Sequence, residues 1–271
     1  MKKVYIDADS ILYRAAHLST VDSDLRKAES IQLEDAEDID LPLANGNNQL
    51  EEASSIFHSM VSDIMAHIEE AESDIDKVPN LVVTVKPSLY DVEPNFRYAL
   101  MEGIEGVKGY KENRKDMETP EGLNDLYSYV HALDNTICIE GVEADDVVVY
   151  YGRQGHIVCA LDKDVLGSLE EAFNYNKMEW VANEPADIVR FPYYQTLTGD
   201  PGDGLRGAVR VGAVGASKAL EGTESEADMW NAVLEVYDSK GQTKEEALAT
   251  MRCVRMDQWS PEKGLSLWKY Q

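Results

Sequence analysis

Short apolar runs alternate with amphipathic segments along roughly the first 190 residues of the chain. The apolar runs have the length and the β-branched content of buried strands, and they lie at 4–6, 81–85, 136–139 and 157–161. The segments with helical spacing lie at 10–18, 51–72, 123–133 and 144–151. Strands that alternate with helices favour a mostly parallel sheet flanked by helices. The pattern therefore predicts an α/β fold.

The pattern changes after about residue 190. A helical segment at 191–198 is followed by a glycine-rich stretch at 199–222, and further helices with apolar faces come after it. We therefore predict an α/β domain at 1–190 and a helical region at 191–271. The acidic, irregular stretch at 20–50 is predicted to be an exposed insert.

The composition allows a full hydrophobic core but carries an unusual charge. The chain is 44% hydrophobic, and its formal net charge at pH 7 is −26. Taken alone, such a charge predicts a protein that repels nucleic acid. It indicates either a surface adapted to a salty or acidic setting, or a set of carboxylates that bind cations. Both interpretations stay open at this point.

The cysteines and the amino-terminal residues indicate the cellular compartment of the protein. Cys138, Cys159 and Cys253 lie far apart and form no C-x-x-C pair, which disfavours a zinc site or a disulfide framework. Asp7 and Asp9 interrupt the first apolar run, which excludes a signal peptide, and no later run is long enough to span a membrane. We therefore expect a cytoplasmic protein with no membrane partner.

Acidic residues follow several of the predicted strands. Asp7 and Asp9 come directly after the first strand, and their spacing of two places both on one side of an extended chain. The other acids of interest are Glu143, Asp145, Asp146, Asp162, Asp164, Asp200 and Asp203. Helix capping and turn formation are the ordinary roles of acids at such positions, and they stay open for each group taken alone.

Taken together, these acids predict a metal site. The carboxyl ends of parallel strands meet at one edge of a sheet, where binding sites form. Carboxylates that converge there raise one another's pKa, and hard divalent cations such as Mg²⁺ relieve the repulsion. Two such ions about 3.5–4 Å apart can hydrolyse a phosphodiester bond. No histidine lies in an arrangement with serine or cysteine that would indicate a different nucleophile.

Several motifs resemble a known family. They are Tyr-Ile-Asp-Ala-Asp-Ser-Ile-Leu-Tyr-Arg-Ala at 5–15, Tyr-Lys-Glu-Asn-Arg-Lys at 110–115, Gly-Val-Glu-Ala-Asp-Asp-Val at 141–147, Leu-Asp-Lys-Asp at 161–164, and Gly-Asp-Pro-Gly-Asp at 199–203 with the glycines up to 215. In this order they resemble the 5′-nuclease domain of bacterial DNA polymerase I and its flap-endonuclease relatives. The nearest likeness is to the small phage-encoded 5′→3′ exonucleases. The resemblance runs from residue 4 to about 220, and 225–271 matches only loosely.

The resemblance implies a PIN-like sheet, a C-terminal helix–three-turn–helix DNA clamp and a two-metal nuclease reaction. It implies two Mg²⁺ ions, with Mn²⁺ as a substitute, and K⁺ as a further ion in the clamp. The implied metal ligands are Asp7, Asp91, Glu143, Asp145, Asp146, Asp162, Asp164, Asp200 and Asp203. The implied catalytic residues are Lys111, Arg114, Asp7 and Asp145. The implied DNA contacts are Tyr110, Lys111, Arg114, Lys115, Gly207, Gly212, Gly215 and Lys218.

The resemblance also implies a substrate. Relatives act on duplex or flapped DNA with a free 5′ end, and on the RNA of RNA–DNA hybrids, in replication, repair or host-DNA breakdown. We expect this chain to act as a monomer on the same substrates. A PIN-type single-strand ribonuclease and a non-catalytic DNA-junction binder stay open as alternatives.

Two stretches depart from the family pattern. The family places an aspartate directly after its second strand, whereas here that strand runs into Val85, Lys86 and a proline. The nearest acid is Asp91, and we expect a shifted loop to bring it into the first metal site. The stretch at 98–109 is unusual in its glycine and acid content, which sets it apart from the helical arch of the family.

Overall fold

The computed structural model describes residues 1–20, 46–102, 104 and 109–270, with side chains from residue 49 onward in the second of these ranges. A central sheet covered by helices occupies the first part of the chain, and a mainly helical region follows it. The predicted insert at 20–50 lies mostly outside the described residues, and so does part of the stretch at 98–109.

Six strands form the central sheet, in the spatial order β3-β2-β1-β4-β5-β6. All neighbouring pairs are parallel except β5 and β6, which are antiparallel. The strands are β1 (Val4–Asp7), β2 (Asn80–Val82), β3 (Thr136–Ile137), β4 (Ile157–Ala160), β5 (Glu171–Asn174) and β6 (Glu179–Ala182). The predicted α/β fold with a mostly parallel sheet is thereby confirmed.

Helices cover both faces of this sheet because side chains alternate along its strands. Val4 and Ile6 of β1 pack on one face, whereas Tyr5 packs on the other with Val147 and Val148. The covering helices are α1 (9–20), α2 (Gly46–Ala71), α3 (Phe96–Met101), α4 (Leu123–His131), α5 (Ala144–Arg153) and α6 (Lys163–Leu166), with a 3-10 turn at Glu112–Arg114. The first face contacts α1, α2 and α4, and the second contacts α5.

The strand order creates a switch point between β1 and β4. From β1 the chain proceeds to β2 and β3 on one side, and it then returns to β4 on the other side. In open parallel sheets a crevice forms at such a point, outside the carboxyl ends of the strands. Asp7 ends β1, and Asp162 comes shortly after β4. The topology therefore brings these two acids to the same crevice.

A mainly helical region follows the sheet. Its elements are α7 (Pro185–Thr198), β7 (Gly199–Asp200), β8 (Leu205–Arg206), α8 (Ala213–Ala219), α9 (Glu226–Ser239), α10 (Lys244–Val254), β9 (Trp259–Ser260) and β10 (Gly264–Leu265). Trp230, Tyr193 and Met251 are fully buried in its core. The domain boundary at residue 190 stays a prediction. None of the described helices has the length and apolar content needed to cross a membrane.

Several strands differ from the sequence prediction: β3 ends at Ile137 instead of at 139, and β7 to β10 lie where no strand is predicted. The pattern does not predict β5 and β6, because Glu171 and Glu179 stand at their exposed first positions and leave only short apolar runs. The predicted second strand extends to Val85, but β2 ends at Val82. Val82 pairs with Asp7, the last residue of β1, so β2 has no partner on that side beyond this point.

A buried ion pair joins the sheet to the helical region. Arg97 of α3 is 0% exposed and donates two hydrogen bonds of 2.7 Å to Asp146 of α5. Its Nε also donates to the carbonyl of Cys253 in α10 at 2.8 Å. Asp146 is likewise 0% exposed and accepts the N–H of Glu143 at 3.1 Å. The pair therefore fixes both α10 and the first turn of α5 against α3.

Replacing Arg97 with methionine removes the counter-charge of Asp146 and leaves a buried carboxylate unpaired. We expect Arg97→Met to lower the free energy of unfolding by about 3–5 kcal/mol, measured by urea denaturation. Lys77→Met is the control, because the Lys77 side chain is 80% exposed and contacts Glu69 at 3.8 Å. The control should lower that free energy by less than about 1 kcal/mol. Equal losses in the two variants would contradict the role assigned to the buried pair.

Candidate active site

A cavity of about 340 Å³ opens at the carboxyl edge of the sheet, at the switch point between β1 and β4. The carboxylates that line it are Asp7, Asp9, Glu143, Asp145, Asp162 and Asp203. The cationic side chains that line it are Lys86, Lys111 and Arg114. The acids come from the ends of β1 and β4, the starts of α1 and α5, and the turn between β7 and β8. The structure thus brings together acids that are far apart in the sequence.

Asp7 and Asp145 lie beside other carboxylates of the cavity. Asp7 is 3% exposed, and burial together with repulsion from Asp9 raises its pKa well above the usual range. Burial, with repulsion from Asp7 and Asp162, likewise raises the pKa of Asp145. Carboxylates in this situation bind a proton or a cation when they stay close together. Their electrostatic state is that of a site for hard cations.

Lys111 and Arg114 pair with acids on one side of the cavity. The Lys111 ammonium bonds to Glu143 and lies 3.9 Å from Asp203. Arg114 donates to Asp203 at 2.6 Å. Burial alone would raise the pKa of Glu143, but Lys111 and Arg97 outweigh it and lower that pKa. Glu143 therefore stays ionised through its cationic neighbours.

Tyr110 and the backbone of Lys111 fix the same side of the cavity. Tyr110 is 1% exposed, and its hydroxyl lies 2.8 Å from both Glu143 Oε2 and Asp203 Oδ2. The side chain is enclosed and bonded to acids, and the DNA contact predicted for Tyr110 stays a prediction. Lys111 has a left-handed backbone (φ 53°), and its N–H donates to the Asp203 carbonyl at 2.8 Å. That conformation costs about 1–2 kcal/mol, and it directs the ammonium into the cavity.

Asp9 and its partners form another side of the cavity, next to the end of β2. The Asp9 carboxylate accepts the N–H of Thr84 at 3.1 Å and the hydroxyl of Tyr127 at 3.0 Å. The ammonium of Lys86 lies 3.6 Å from the centre of the Tyr127 ring. The sequence shows Asp9 as an acid at a strand end but assigns no metal role to it. The sequence holds no signal for the contacts of Asp9, because these contacts join three elements that are distant along the chain.

Asp91 does not take part in the cavity. It is exposed and lies outside the residues that line the cavity. After β2 the chain forms a turn in which the N–H groups of Leu89 and Tyr90 both donate to the Lys86 carbonyl, at 3.0 and 3.1 Å. Because of this turn, the chain leaves the direction of β2 before Asp91. The structure thus places Asp91 outside the cavity lining, and its assignment to the first metal site stays a prediction.

Asp164 and Asp200 form a second acidic group around Lys163. The Lys163 ammonium lies 2.7 Å from Asp164 and 2.6 Å from Asp200. Burial and repulsion from Asp162 raise the pKa of Asp164 to about 7, although Lys163 opposes the shift. Neither Asp164 nor Asp200 lines the cavity described above. Their assignment as ligands of a second metal ion stays a prediction.

Asp146 differs from the other acids of its motif. Arg97 uses both of its carboxylate oxygens, and Asp146 is absent from the lining of the cavity. The metal role predicted for Asp146 finds no support in this placement and stays a prediction. Its role is to position Glu143 and Asp145 at the start of α5, because its Oδ2 accepts the N–H of Glu143.

The glycine-rich segment forms a tight hairpin of β7 and β8, followed by the short helix α8. A Cβ atom on Gly207 would lie 2.3 Å from a backbone nitrogen of the neighbouring strand, so the two strands approach this closely only with glycine at that position. The remaining predicted DNA contacts outside the cavity are exposed and are Lys115, Gly212, Gly215 and Lys218. The DNA-binding role of this segment stays a prediction.

The donor chemistry of the cavity fits hard divalent cations. Its acidic groups offer carboxylate oxygens, which are the ligands of Mg²⁺ and Mn²⁺. Within the part of the chain that the structure describes, no three acidic, histidine or cysteine side chains stand at the spacing of a metal-bound group. Glu143 and Asp203 instead contact Lys111 and Arg114. Binding of ions would therefore require these ion pairs to rearrange.

The raised pKa of Asp164 has a consequence for stability in the metal-free protein. Folding opposes the ionisation of the Asp164 carboxyl. The stability that this group contributes is therefore fully present below its unfolded pKa of 3.8 and is lost as the pH rises to its folded pKa of about 7. Relative to Asp164→Asn, the free energy of unfolding of the wild type should fall over this range, by at most about 1.4 kcal/mol per pH unit. Urea denaturation in EDTA at a series of pH values measures the difference. A difference that does not change with pH would show that Asp164 titrates normally.

Several solved structures share the fold of this chain. No protein-family model and no curated protein matches the chain. Among solved structures, it is similar to the 5′-exonuclease of bacteriophage T5 with bound zinc ions, at 16% identity and a TM-score of 0.59, over 94% of this chain and 89% of that one. A T5 protein co-crystallised with metal ions matches at 14% identity and a TM-score of 0.54, over 94% and 90% of the two chains.

A third match is the bacteriophage T5 flap endonuclease in a pseudo-enzyme-product complex with DNA and metal ions. It matches at 14% identity and a TM-score of 0.53, over 94% of this chain and 89% of that one. Identities this low establish a shared fold, and the coverage shows that the likeness extends over nearly the whole chain. The chain therefore has the fold of a 5′-nuclease, as the resemblance of its motifs predicts.

Proposed function

We propose that this chain is a metal-dependent 5′→3′ nuclease that hydrolyses phosphodiester bonds of duplex or flapped DNA. The observation that carries the proposal is the cavity in which Asp7, Asp145 and Asp162 repel one another beside Lys111 and Arg114. Solved structures with the same fold are a 5′-exonuclease with bound zinc ions and a flap endonuclease with DNA and metal ions. Side-chain chemistry and fold thus support the same reaction.

Divalent ions would bind among the carboxylates. We assign to the first ion Asp7, Glu143 and Asp145, and to the second ion Asp162, Asp164, Asp200 and Asp203. When bound, such ions supply a water of lowered pKa and a Lewis acid for a phosphoryl oxygen. Mg²⁺ is the ion we propose, with Mn²⁺ as a substitute, because both take oxygen ligands.

Lys111 and Arg114 would bind the phosphate at the reacting bond. In the structure they neutralise Glu143 and Asp203. These acids are also ligands that divalent ions would neutralise in place of the two side chains. The ammonium and guanidinium groups would then contact phosphate oxygens and offset the charge that develops during hydrolysis. The ion pairs keep both cations at the cavity until substrate arrives.

The charge balance of the cavity supports joint binding of nucleic acid and divalent ions. The carboxylates that line the cavity exceed the cationic side chains by three negative charges when all are ionised. An excess of this sign repels phosphate. Two divalent ions would reverse the sign of the excess, so the metal ions would make the cavity attractive to the substrate as well as reactive.

The hairpin of β7 and β8 and the segment after it would contact uncleaved duplex. Gly212 and Gly215 leave the backbone exposed there, and Lys218 adds a positive charge. Contacts to the sugar-phosphate backbone carry no base preference, so binding would not depend on sequence. A K⁺ ion in this clamp belongs to the same proposal. We further propose a monomer that acts in the cytoplasm on free 5′ ends, including the RNA of RNA–DNA hybrids, in replication or repair.

A non-catalytic DNA-junction binder is the second candidate function. The observation that favours it is the cation Lys86 at the end of β2, together with the ion-paired state of Glu143 and Asp203. A single-strand ribonuclease is the third candidate, and loss of duplex preference would favour it. The acids Asp7 and Asp145, which have no cation in hydrogen-bond contact in the described part of the chain, support catalysis over binding alone.

Asp145→Asn tests the proposal, because the amide preserves the shape of the side chain and removes the charge that would hold an ion. We expect cleavage of 5′-labelled duplex and flap DNA in Mg²⁺ to fall by more than about 100-fold. Binding of the same DNA, measured by fluorescence anisotropy, should persist. Asp187→Asn is the matched control, because Asp187 is an exposed aspartate in the first turn of α7 and should leave cleavage unchanged.

The other outcomes separate the candidate functions. A wild type that binds DNA but cleaves nothing in Mg²⁺ or Mn²⁺ is a junction binder. A wild type that cleaves only single-stranded RNA is a ribonuclease. Cleavage of duplex DNA that survives in Asp145→Asn would place the reactive centre elsewhere and remove the basis of the proposal.

A further inference from the structure

Lys86 occupies an unusual position at the candidate active site. It follows β2 at the carboxyl edge of the sheet, is half-buried, and lines the same cavity as the acids. Its ammonium lies 3.6 Å from the centre of the Tyr127 ring, and Tyr127 is itself only 4% exposed. A cation over an aromatic face is held in place by the ring quadrupole. Lys86 therefore presents its charge to the cavity from a fixed position.

Lys86 differs from the other cations of this region in its lack of a paired carboxylate among the described residues. Lys111, Arg114 and Lys163 each have a carboxylate oxygen within 2.7 Å. Among the residues that the structure describes, Lys86 has no carboxylate oxygen within 4.0 Å and donates no side-chain hydrogen bond. A lysine ammonium has three donors, so those of Lys86 are available to a ligand.

The acid that attracts Lys86 is bonded to other groups. Asp9 attracts the ammonium electrostatically. Its carboxylate, however, accepts the N–H of Thr84 at 3.1 Å and the hydroxyl of Tyr127 at 3.0 Å. These bonds keep the acid on the strand side of the cavity and leave the ammonium unpaired. The arrangement is a fixed cation whose preferred partner is an anion from outside the chain.

The placement of Lys86 also separates it from the cations assigned to the reacting bond. Lys111 contacts Glu143 and lies 3.9 Å from Asp203, whereas Lys86 lies over the ring of Tyr127, whose hydroxyl donates to Asp9. The two lysines thus contact different parts of the cavity lining. A nucleic-acid strand carries a phosphate at every nucleotide, so a strand that places one phosphate at Lys111 presents a neighbouring phosphate to the other side.

We propose that the ammonium of Lys86 binds a phosphate of the substrate strand next to the one that is cleaved. Lys86 is then a substrate-binding residue that sets the position of the strand in the cavity. It does not act on the reacting atoms. The inference rests on the proposed nuclease function, and it assigns a role to a residue at which the chain departs from the acidic pattern of its resemblance.

The test compares Lys86→Met with Lys77→Met. Methionine keeps the length of the apolar stem and removes the charge, and Lys77 lies before the opposite end of the same strand, β2, with an 80% exposed side chain. Binding of 5′-labelled duplex and flap DNA is measured by fluorescence anisotropy over a range of salt concentrations. Both substitutions are placed in the Asp145→Asn background so that the probe stays intact, and kcat and KM are measured in the otherwise wild-type protein.

We expect Lys86→Met to weaken binding on the order of tenfold and to reduce the slope of log affinity against log salt by about 1. KM should rise by a similar factor while kcat changes little, because the lost contact is made equally before and during the reaction. Lys86→Arg should restore the salt slope and KM, since it returns the charge. Lys77→Met should match the parent protein in all of these measurements.

Three results would overturn the inference. Lys86→Met could leave the salt slope and KM unchanged, which would show that no phosphate contact was lost. It could lower kcat while KM and the slope stay constant, which would mean that Lys86 acts on the acids or their ions. The loss of affinity in Lys86→Met could equal that in Lys77→Met, which would indicate a general effect of net charge. A wild type that binds DNA but never cleaves it would refute the nuclease proposal while leaving the slope test intact, so the two failures are distinguishable.

Discussion

The geometry of the acidic cavity depends on the buried ion pair between Arg97 and Asp146. Removing either partner would leave an uncompensated charge in the interior. Asp146 also accepts the N–H of Glu143, so the pair sets where α5 begins and where Glu143 and Asp145 lie. Arg97 binds the carbonyl of Cys253 in the same network. The position of the acids is thus coupled to the packing of the last long helix.

Much of this fold was accessible from the sequence because parallel topology is a strong constraint. Strand–helix alternation predicts the sheet, and a parallel sheet brings Asp7 and Asp162 to one edge whatever the details of packing. The position of Asp91 and the pairing of Asp146 were not accessible. The first depends on where β2 loses its partner strand, and the second depends on Arg97, which is distant in sequence and carries no local signal. Spacing reveals which acids can meet, whereas packing decides which of them face the cavity.

Two classes of carboxylate stand out by their neighbours, and Asp203 belongs to neither, because burial raises its pKa although Arg114 is in contact. Glu143 has cations in contact, and its pKa is lowered. Asp7 and Asp145 face other acids, and their pKa values are raised. The first class is stable without added ions. The second class is costly to ionise until a cation arrives. Under the proposed function, this asymmetry would let a protein with a formal charge of −26 bind an anionic substrate, because the cations at the cavity, and not the net charge, would decide the interaction with phosphate.

The same division separates the cations of the cavity. Lys111 and Arg114 are paired with Glu143 and Asp203, so under the proposed function they would contact phosphate after divalent ions take over those acids. Lys86 has no such partner among the described residues, and its charge is available whether or not ions are present. Phosphate binding would therefore have an ion-independent part that guides the strand to the cavity and an ion-dependent part that completes the reactive arrangement. Under the proposed function, such a cavity would couple tight binding of the substrate to the arrival of the ions that promote its hydrolysis, because metal would replace the cations paired with the acids.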